Sequence, residues 1–371
     1  MTSPWRLLDP GPLPAWRQMA LDAVVIRHRA GEKTPNTLRF MEFEPHAVLV
    51  GYHQSLDLEL RRDVASELGI ELGRRITGGG AIYMDTRQLG WELCLGQNAE
   101  PFATNSDVIY RRLSEIVIQA LKRWGISAHF RPVNDVEVQG RKISGTGGTQ
   151  WGSALIYQGT LLVDFDVMTM LKVLKLPIEK LTDKVTQSFR ERIVTMAELI
   201  GQAPPMEDVK MAIADALQTM LGVELVPGSL TSEEKEDWLA NEGQYRDSAW
   251  IDFRRPPRTA YRLEEFSYKA QGGLIRASLQ LDEARQRIQR AFITGDFFVE
   301  PSRAVLDLEA LLKDAPMRID ALLQRVRQHY ATGPKYLGVT EEDWVNLLQK
   351  PLLDQKGGAI TDGDARRIAH H

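Results

Sequence analysis

The chain of 371 residues has a single cysteine, Cys94. One thiol excludes an internal disulfide and a thiolate metal cluster, and it fits a reducing, cytoplasmic setting. Charge of one sign is also lacking: 46 Lys and Arg stand against 50 Asp and Glu, a net charge of -4. That balance argues against a dedicated nucleic-acid binder. No apolar run is long enough to span a bilayer, so no membrane association is expected. The longest candidates, such as "GTLLVDF" (159–165), read as buried strands. The first residues, "MTSPWRLLDPGPLPAW", place prolines where a signal peptide needs an unbroken apolar core. No internal repeat is present. What is there is the composition of a soluble protein, 43% hydrophobic and 26% charged, with length enough for two domains.

Two loops carry chemical information. The first, "RRITGGGAIYMD" (74–85), sets two arginines against three glycines. Adjacent guanidinium forks suit phosphate or carboxylate oxygens, and glycines let another molecule approach the backbone closely. "IELGRR" reads as a strand entering this loop, and "AIYM" and "GWELCLG" as strands leaving it. A strand-to-strand loop without the ending G-K-[ST] is neither a Walker loop nor a dinucleotide fingerprint, both of which run from strand to helix. The second loop, "NDVEVQGRKISGTGG" (134–148), offers an amide, a carboxylate and a strand-borne lysine, Lys142, followed by small residues. Asp135 is suited to Mg²⁺ and Lys142 to charge on a phosphoryl group.

Around the loops, "WRQMALDAVVIRHRAG" has helical spacing, and "TLRFMEF" and "HAVLVGYHQ" alternate as strands. "LRRDVASELG" and "NSDVIYRRLSEIVIQALKRWG" read as helices, and residues 166–222 as mainly helical. A looser stretch from Thr231 passes through Pro256–Pro257, which marks a boundary between a domain of residues 1–255 and one of 258–350. The second domain alternates like a small antiparallel sheet with a turn at Gly272–Gly273, followed by helices. Residues 351–371 form a polar tail expected to be flexible.

The two loops together, followed by "YQGTLL" (157–162), closely resemble the lipoate–protein ligases. That family shows R-R-x-[ST]-G-G-G-A-V-[FY]-H-D, then N-D-[IVL] with G-[KR]-K-[IV]-S-G, then H-H-G-T-L-L. "VGYHQ" stands at its G-R-x-Q and "QMALD" at its N-x-A-x-[DE] segment. "KVTQSFRERIVTMAEL" stands at its adenylate-binding loop. "GGLIRASLQLD" and "ITGDFF" look like the accessory domain of the two-domain members.

The resemblance implies an α/β (α+β) fold: a mixed sheet flanked by helices, as in biotin and lipoate ligases and class II aminoacyl-tRNA synthetases, with a small C-terminal α+β accessory domain. It implies activation of lipoate or octanoate by ATP, with Mg²⁺, to an acyl-adenylate. The acyl group then passes to the lysine of a lipoyl carrier domain. Lys142 is the implied catalytic residue, bridging the acyl carboxylate and the α-phosphate. Arg75, Gly80, Ala81, Ile82, Tyr83, Asn134 and Asp135 are implied nucleotide contacts, with Asp135 the Mg²⁺ ligand. Arg75, Gly78, Gly79, Gly80, Lys142, Gly159 and Thr160 are implied to line the lipoate site, and the 182–192 loop, with Ser188 and Arg190, to cover ATP. Arg74 shapes the loop.

The chain departs from that pattern where family histidines stand: it has Met84 before Asp85, and Tyr157-Gln158 before Gly159. Two rival activities share or replace the fold's chemistry: an ATP-independent octanoyl transferase, which needs a cysteine nucleophile, and a non-catalytic binder of lipoylated carriers. Cys94, within "WELCLG", reads as a structural thiol. His46, His53 and His129 are assigned no metal or catalytic role, and the eight tryptophans read as packing residues.

Overall fold

The computed structural model describes residues 4–97, 99, 106–175, 183–256 and 263–351. The tail beyond residue 351 and residue 182 of the expected nucleotide loop lie outside the described residues. The chain divides at the Pro-Pro pair into two compact units, Met1–Arg255 and Pro256–His371.

The first unit contains β1 (Trp5–Leu8), β2 (Pro12–Leu13), β3 (Thr37–Phe43), β4 (Ala47–Val50), β5 (Glu71–Arg74), β6 (Ile82–Met84), β7 (Leu89–Gly96), β8 (His129–Arg131), β9 (Asp135–Val138), β10 (Arg141–Trp151), β11 (Ala154–Leu161) and β12 (Leu225–Pro227). Its main sheet has the order β12-β1-β3-β7-β11-β10-β9-β8, with β2 attached to β3. β1 runs parallel to β12 and β3, and the pairs from β3 through β8 are antiparallel, which makes the sheet mixed. A second sheet, β5-β4-β6, carries the glycine loop between its two outer strands.

The helices of this unit are α1 (Ala15–Ala30), α2 (Leu56–Glu59), α3 (Arg62–Glu67), α4 (Ser106–Leu121), α5 (Val167–Val173), α6 (Asp183–Arg190), α7 (Met196–Ile200), α8 (Met206–Leu221), α9 (Ser232–Asn241) and α10 (Ser248–Ile251). α1 is buried on most of its circumference, including Met19, Leu21, Val24, Val25 and Ile26, as a helix covered on several sides must be. Proline at position 14 offers no side-chain cap, and the Glu71 carboxylate takes over by accepting the Ala15 N–H at 2.7 Å. Arg27, His28 and Arg29 in the last turn complement the negative end of the helix dipole.

One sequence expectation changes here. The stretch after Thr231 is ordered, not loose. Thr231 and Glu234 form a reciprocal capping box that starts α9, and Glu234 is buried against Arg6 at 2.6 Å. The pattern T-S-E-E was the available signal. The segment that stands at the nucleotide loop is helical over Asp183–Arg190, as the mainly helical reading of 166–222 has it.

The second unit pairs β13 (Glu264–Ala270), β14 (Gly273–Asp282), β15 (Arg287–Gly295) and β17 (Ala315–Pro316) in that order. β16 (Phe298–Glu300) pairs separately with β18 (Lys335–Leu337). With α11 (Ala304–Leu312), α12 (Ile319–Ala331) and α13 (Glu341–Leu348), these strands bury Phe297, Leu308, Val326 and Trp344. The Gly272 turn tolerates only glycine, because a Cβ there would lie 1.8 Å from the Leu337 carbonyl oxygen. No helix among the described residues is long and apolar enough to cross a membrane.

Candidate active site

The small sheet explains the first motif. β5 delivers Arg74 and Arg75, the loop turns through Gly78–Gly80, and β6 leaves. Gly79 adopts φ +90, in the range glycine favours. It presses so closely on Gly51 that a Cβ at Gly51 would sit 2.0 Å from the Gly79 carbonyl oxygen. "VGYHQ" is therefore the seat of the glycine loop, and Tyr52 N–H donates to the Thr77 carbonyl at 2.9 Å.

Both arginines are turned inward. Arg74 is fully buried and donates to the carbonyls of Gly51, Tyr52, Gln54 and Ile251. Arg75, 8% exposed, donates to the carbonyls of Leu49, Gly78 and Gly80 at 2.8–3.0 Å. These bonds use three of the five guanidinium N–H donors, so a phosphate contact by Arg75 falls to Nε and the second Nη1 hydrogen. Of the neighbouring residues, Ala81 and Ile82 pack partly buried against apolar clusters. Tyr83 is buried, and its hydroxyl meets His46 Nδ1 at 2.8 Å.

The second motif lies on the main sheet. β9 and β10 pair Lys142 with Glu137 and Gly145 with Asp135, and the register shifts between Lys142 and Ser144. That shift brings the Lys142 ammonium back over Gly145, where a Cβ would lie 2.7 Å from Nζ. The ammonium meets Asp135 Oδ1 at 2.7 Å, and the Lys142 side chain keeps 40% of its surface exposed. Its backbone is bracketed: Lys142 N–H donates to the Arg192 carbonyl at 2.8 Å, and Val194 N–H donates to the Lys142 carbonyl at 2.9 Å. Asn134 is spent on local structure, its amide donating to the Thr146 carbonyl at 2.5 Å. Thr160 faces Gly145 from β11, its hydroxyl 3.4 Å from the Gly145 carbonyl oxygen. Gly159 packs over Trp91, whose indole nitrogen would be 2.5 Å from a Cβ.

The three positions where the resembled motifs carry histidine go three ways. Met84 is sealed in the core against α1. Tyr157 points to the α4 side of the main sheet, with its hydroxyl 3.1 Å from Ser114 Oγ. Gln158, one residue on, points to the opposite face, which it shares with Gly147, Gly145, Asp135 and Lys142 through the β11–β10–β9 register.

On that face lies a fully buried polar cluster the sequence did not announce. Arg39 on β3 donates to Asp22 Oδ1, to Glu92 Oε1 at 2.5 Å and to Gln18 Oε1 at 2.7 Å. Gln158 Nε2 donates to Asp22 Oδ2 at 2.8 Å and to Glu92 Oε2 at 2.9 Å, while Gln158 Oε1 accepts from the Thr77 hydroxyl at 2.9 Å. Burial, and then the Glu92 charge, push the Asp22 carboxyl up to about 8. Gln18 and Asp22 are one helical turn apart in "QMALD". Glu92 is the lone charge in the middle of the apolar strand β7, and that was the signal to be read.

The structure thus brings Lys142, Asp135, Gly145 and Thr160 together, and holds Gly78–Gly80 with Arg75. Ser188 and Arg190 are on α6, and Arg190 lines a cleft of about 810 Å³ with Arg141, Asp164, Gln187 and Glu198 that none of the glycine-loop residues lines. Cys94 is buried in the middle of β7, and desolvation pushes its thiol well above the ordinary value. His53 is buried, and burial together with Arg254 and Arg74 lowers it to about 3, which keeps it neutral. Among the described residues no group of three His, Cys, Asp or Glu side chains forms a metal cage.

Comparison with known proteins supplies the rest. Residues 14–218 match the family model of the lipoyl protein ligase A/B catalytic domain. An octanoyltransferase LipM of Kyrpidia tusciae is 30% identical over 272 residues, covering 65% of this chain and 98% of that protein. Lipoate–protein ligase 1 of Staphylococcus aureus is 29% identical over 255 residues, covering 68% of this chain and 73% of that protein. In structure, LipL1 of Plasmodium falciparum, solved with lipoate, covers 94% of this chain and 99% of its own with a TM-score of 0.71. At 14% identity it attests the fold alone.

Proposed function

The chain belongs to the lipoyl protein ligase A/B family, enzymes that attach lipoyl or octanoyl groups to proteins, and we propose that it does so by ATP-dependent activation of the acid. The observation that carries this reading is the contrast between its two candidate reactive groups. The only thiol, Cys94, is sealed in β7 and held in its protonated form, so a covalent acyl-thioester has no accessible nucleophile to form on. Lys142 is half-exposed, fixed by backbone bonds on both sides, and paired with one carboxylate.

In the proposed reaction Lys142 draws the acid's carboxylate and the α-phosphate of ATP to one place. The carboxylate oxygen attacks the α-phosphorus, the bond to pyrophosphate breaks, and an acyl-adenylate remains. The ammonium then faces charge that grows in the transition state, where a prearranged cation has most effect. The amine of a carrier lysine next attacks the acyl carbon and loses a proton, and AMP leaves with the bonding electrons, giving an amide. Gly78–Gly80 and Thr160 wall the acyl chain, and the backbone of Gly80–Tyr83 faces the nucleotide; Gly159, turned toward Trp91, lies on the other face of the sheet. Mg²⁺, if used, fits only as a phosphate-borne ion, held by the remaining oxygen of Asp135, phosphate oxygens and water, where it neutralises phosphate charge. Arg75 acts through the loop carbonyls it holds.

A second reading, an octanoyltransferase that works without ATP, is favoured by the name of the relative at 30% identity. One experiment separates the two. The full chain is mixed with a lipoyl carrier domain and either Mg-ATP with octanoate or lipoate, or an octanoylated donor carrier without ATP. Pyrophosphate release and acylated acceptor in the first mixture support the ligase. Acylated acceptor only in the second replaces it with the transferase.

A further inference from the structure

Gln158 spends its whole amide on three partners drawn from distant parts of the chain: two acceptor carboxylates below, on α1 and β7, and one donor hydroxyl above, on the glycine loop. A neutral imidazole has one donor and one acceptor. It could therefore meet Thr77 and one carboxylate, never both. A glutamate would add a third carboxylate to two that already share one guanidinium. The amide is the side chain that closes this cluster, and the cluster closes on the loop.

The placement matters for the acid. The Lys142 ammonium lies over Gly145, and Gln158 pairs with Gly147 on the same face. At the rise of a strand that is about 7 Å further along β10. On the functional reading above, on which this inference rests, an acyl chain with its carboxylate at Lys142 and its length along β10 passes two glycines without side chains. It then arrives beneath the glycine loop at Gln158.

We propose that Gln158 and Thr77 are positioning residues for the acyl acid: their hydrogen bond latches the glycine loop to the buried Asp22–Arg39–Glu92 cluster, so that the loop wall of the acyl site is set before the acid arrives. Arg75 fixes the loop's carbonyls to one another and to Leu49. The Thr77 hydroxyl is the side-chain bond that ties the loop to the main sheet below. A preset wall spares the acid the ordering of that segment on binding. The nucleotide, facing the loop's outgoing backbone and Lys142, gains little from the latch. Breaking it therefore separates the two substrates.

The test uses the full chain and two substitutions that leave every carboxylate with its donors. Thr77→Val removes the hydroxyl and keeps the branched shape; Thr77→Ser keeps the hydroxyl. Hydrogen exchange at the amides of Gly78 and Gly79, in the acyl wall of the loop, reads the latch itself, and calorimetric titration with octanoate and with lipoate reads its consequence. Thr77→Val is expected to speed exchange at those amides at least tenfold and to weaken acid binding at least fivefold. In steady state KM for the acid should rise by the same factor, with kcat and KM for ATP within twofold. Thr77→Ser should return each quantity to within twofold of the parent. Unchanged exchange in Thr77→Val overturns the latch. Faster exchange with unchanged acid affinity, or an equal rise in both KM values, overturns its role in binding the acid. A parent chain that binds neither acid refutes the functional reading instead, and the exchange measurement still decides the latch.

Discussion

Lys142 and Arg39 are two cations on the same face of one sheet, in opposite circumstances. Arg39 is wholly buried among Asp22, Glu92 and Gln18, each of its nitrogens committed. Lys142 has one carboxylate partner and keeps 40% of its side-chain surface in solvent. Between them lie Gly145, Gly147, Thr160 and Gln158. A buried, saturated cation holds structure together and cannot take a new anion without losing an old one. A cation with a single partner and open surface can. The difference also separates guanidinium from ammonium: the planar fork suits a fixed, many-armed contact, and the point charge suits a ligand that changes shape during reaction.

The largest effect that sharpens this comparison is on Lys142. Lys142→Ala is expected to lower acid-dependent pyrophosphate release by at least about a hundredfold, on the order of 3 kcal/mol of transition-state stabilisation, with the thermal midpoint within a few degrees of the parent. Lys142→Arg should recover little. Rapid pyrophosphate release by Lys142→Ala would remove the residue from the chemistry.

Arg39 should behave in the reverse way. Arg39→Met takes the buried cation away from the Asp22 and Glu92 carboxyl groups and is expected to cost about 3–5 kcal/mol of folding stability, read as a shift of the urea midpoint. An Arg39→Met chain as stable as the parent would show that the cluster contributes no net stability.

The same cluster sets a pH dependence. The Asp22 carboxyl is raised from its ordinary value of 3.8 to about 8 by burial and by Glu92. Between those values the folded chain binds more protons than the unfolded one, so this group's contribution to stability falls as pH rises from about 4 to 8 and is level above. Asp22→Asn should lack that decline. The measurement is the difference between parent and variant urea midpoints across this range at fixed ionic strength, which cancels other titrations such as that of His53. A difference that does not vary with pH would place the Asp22 proton elsewhere.

The smallest effect belongs to Cys94. Cys94→Ala deletes a buried sulfur and should cost about 1 kcal/mol or somewhat more in stability, with acid-dependent pyrophosphate release within twofold. Loss of acyl transfer in Cys94→Ala, with stability kept, would favour the thiol-dependent reading.

The glycine loop and the "NDVEVQGRKISG" segment were legible in the sequence because each is written locally, and the mixed architecture followed from the family resemblance they carry. Glycines mark the close approach of Gly79 to Gly51, and a lysine within a strand marks a charge held on rigid structure. The capping box at Thr231 is equally local. The inward turn of Arg75 was not legible. Two arginines before a glycine loop read the same whether they face an anion or the loop's own carbonyls, and only the fold around Leu49 and Gly78–Gly80 decides it.

The sequence by itself determined which backbone stretches could serve as the loop and the strands, and which single thiol and which lysine the chain has to work with. Tertiary structure decided which side chains meet. Adjacent residues of a strand face opposite ways, so Tyr157 enters the core against α4 while Gln158 enters the site. Which of the two does so follows from the pairing of β11 with β7 and β10. Gln158 finds Asp22 across 136 residues of chain. Contacts at that separation are fixed by register and packing, and no local pattern encodes them.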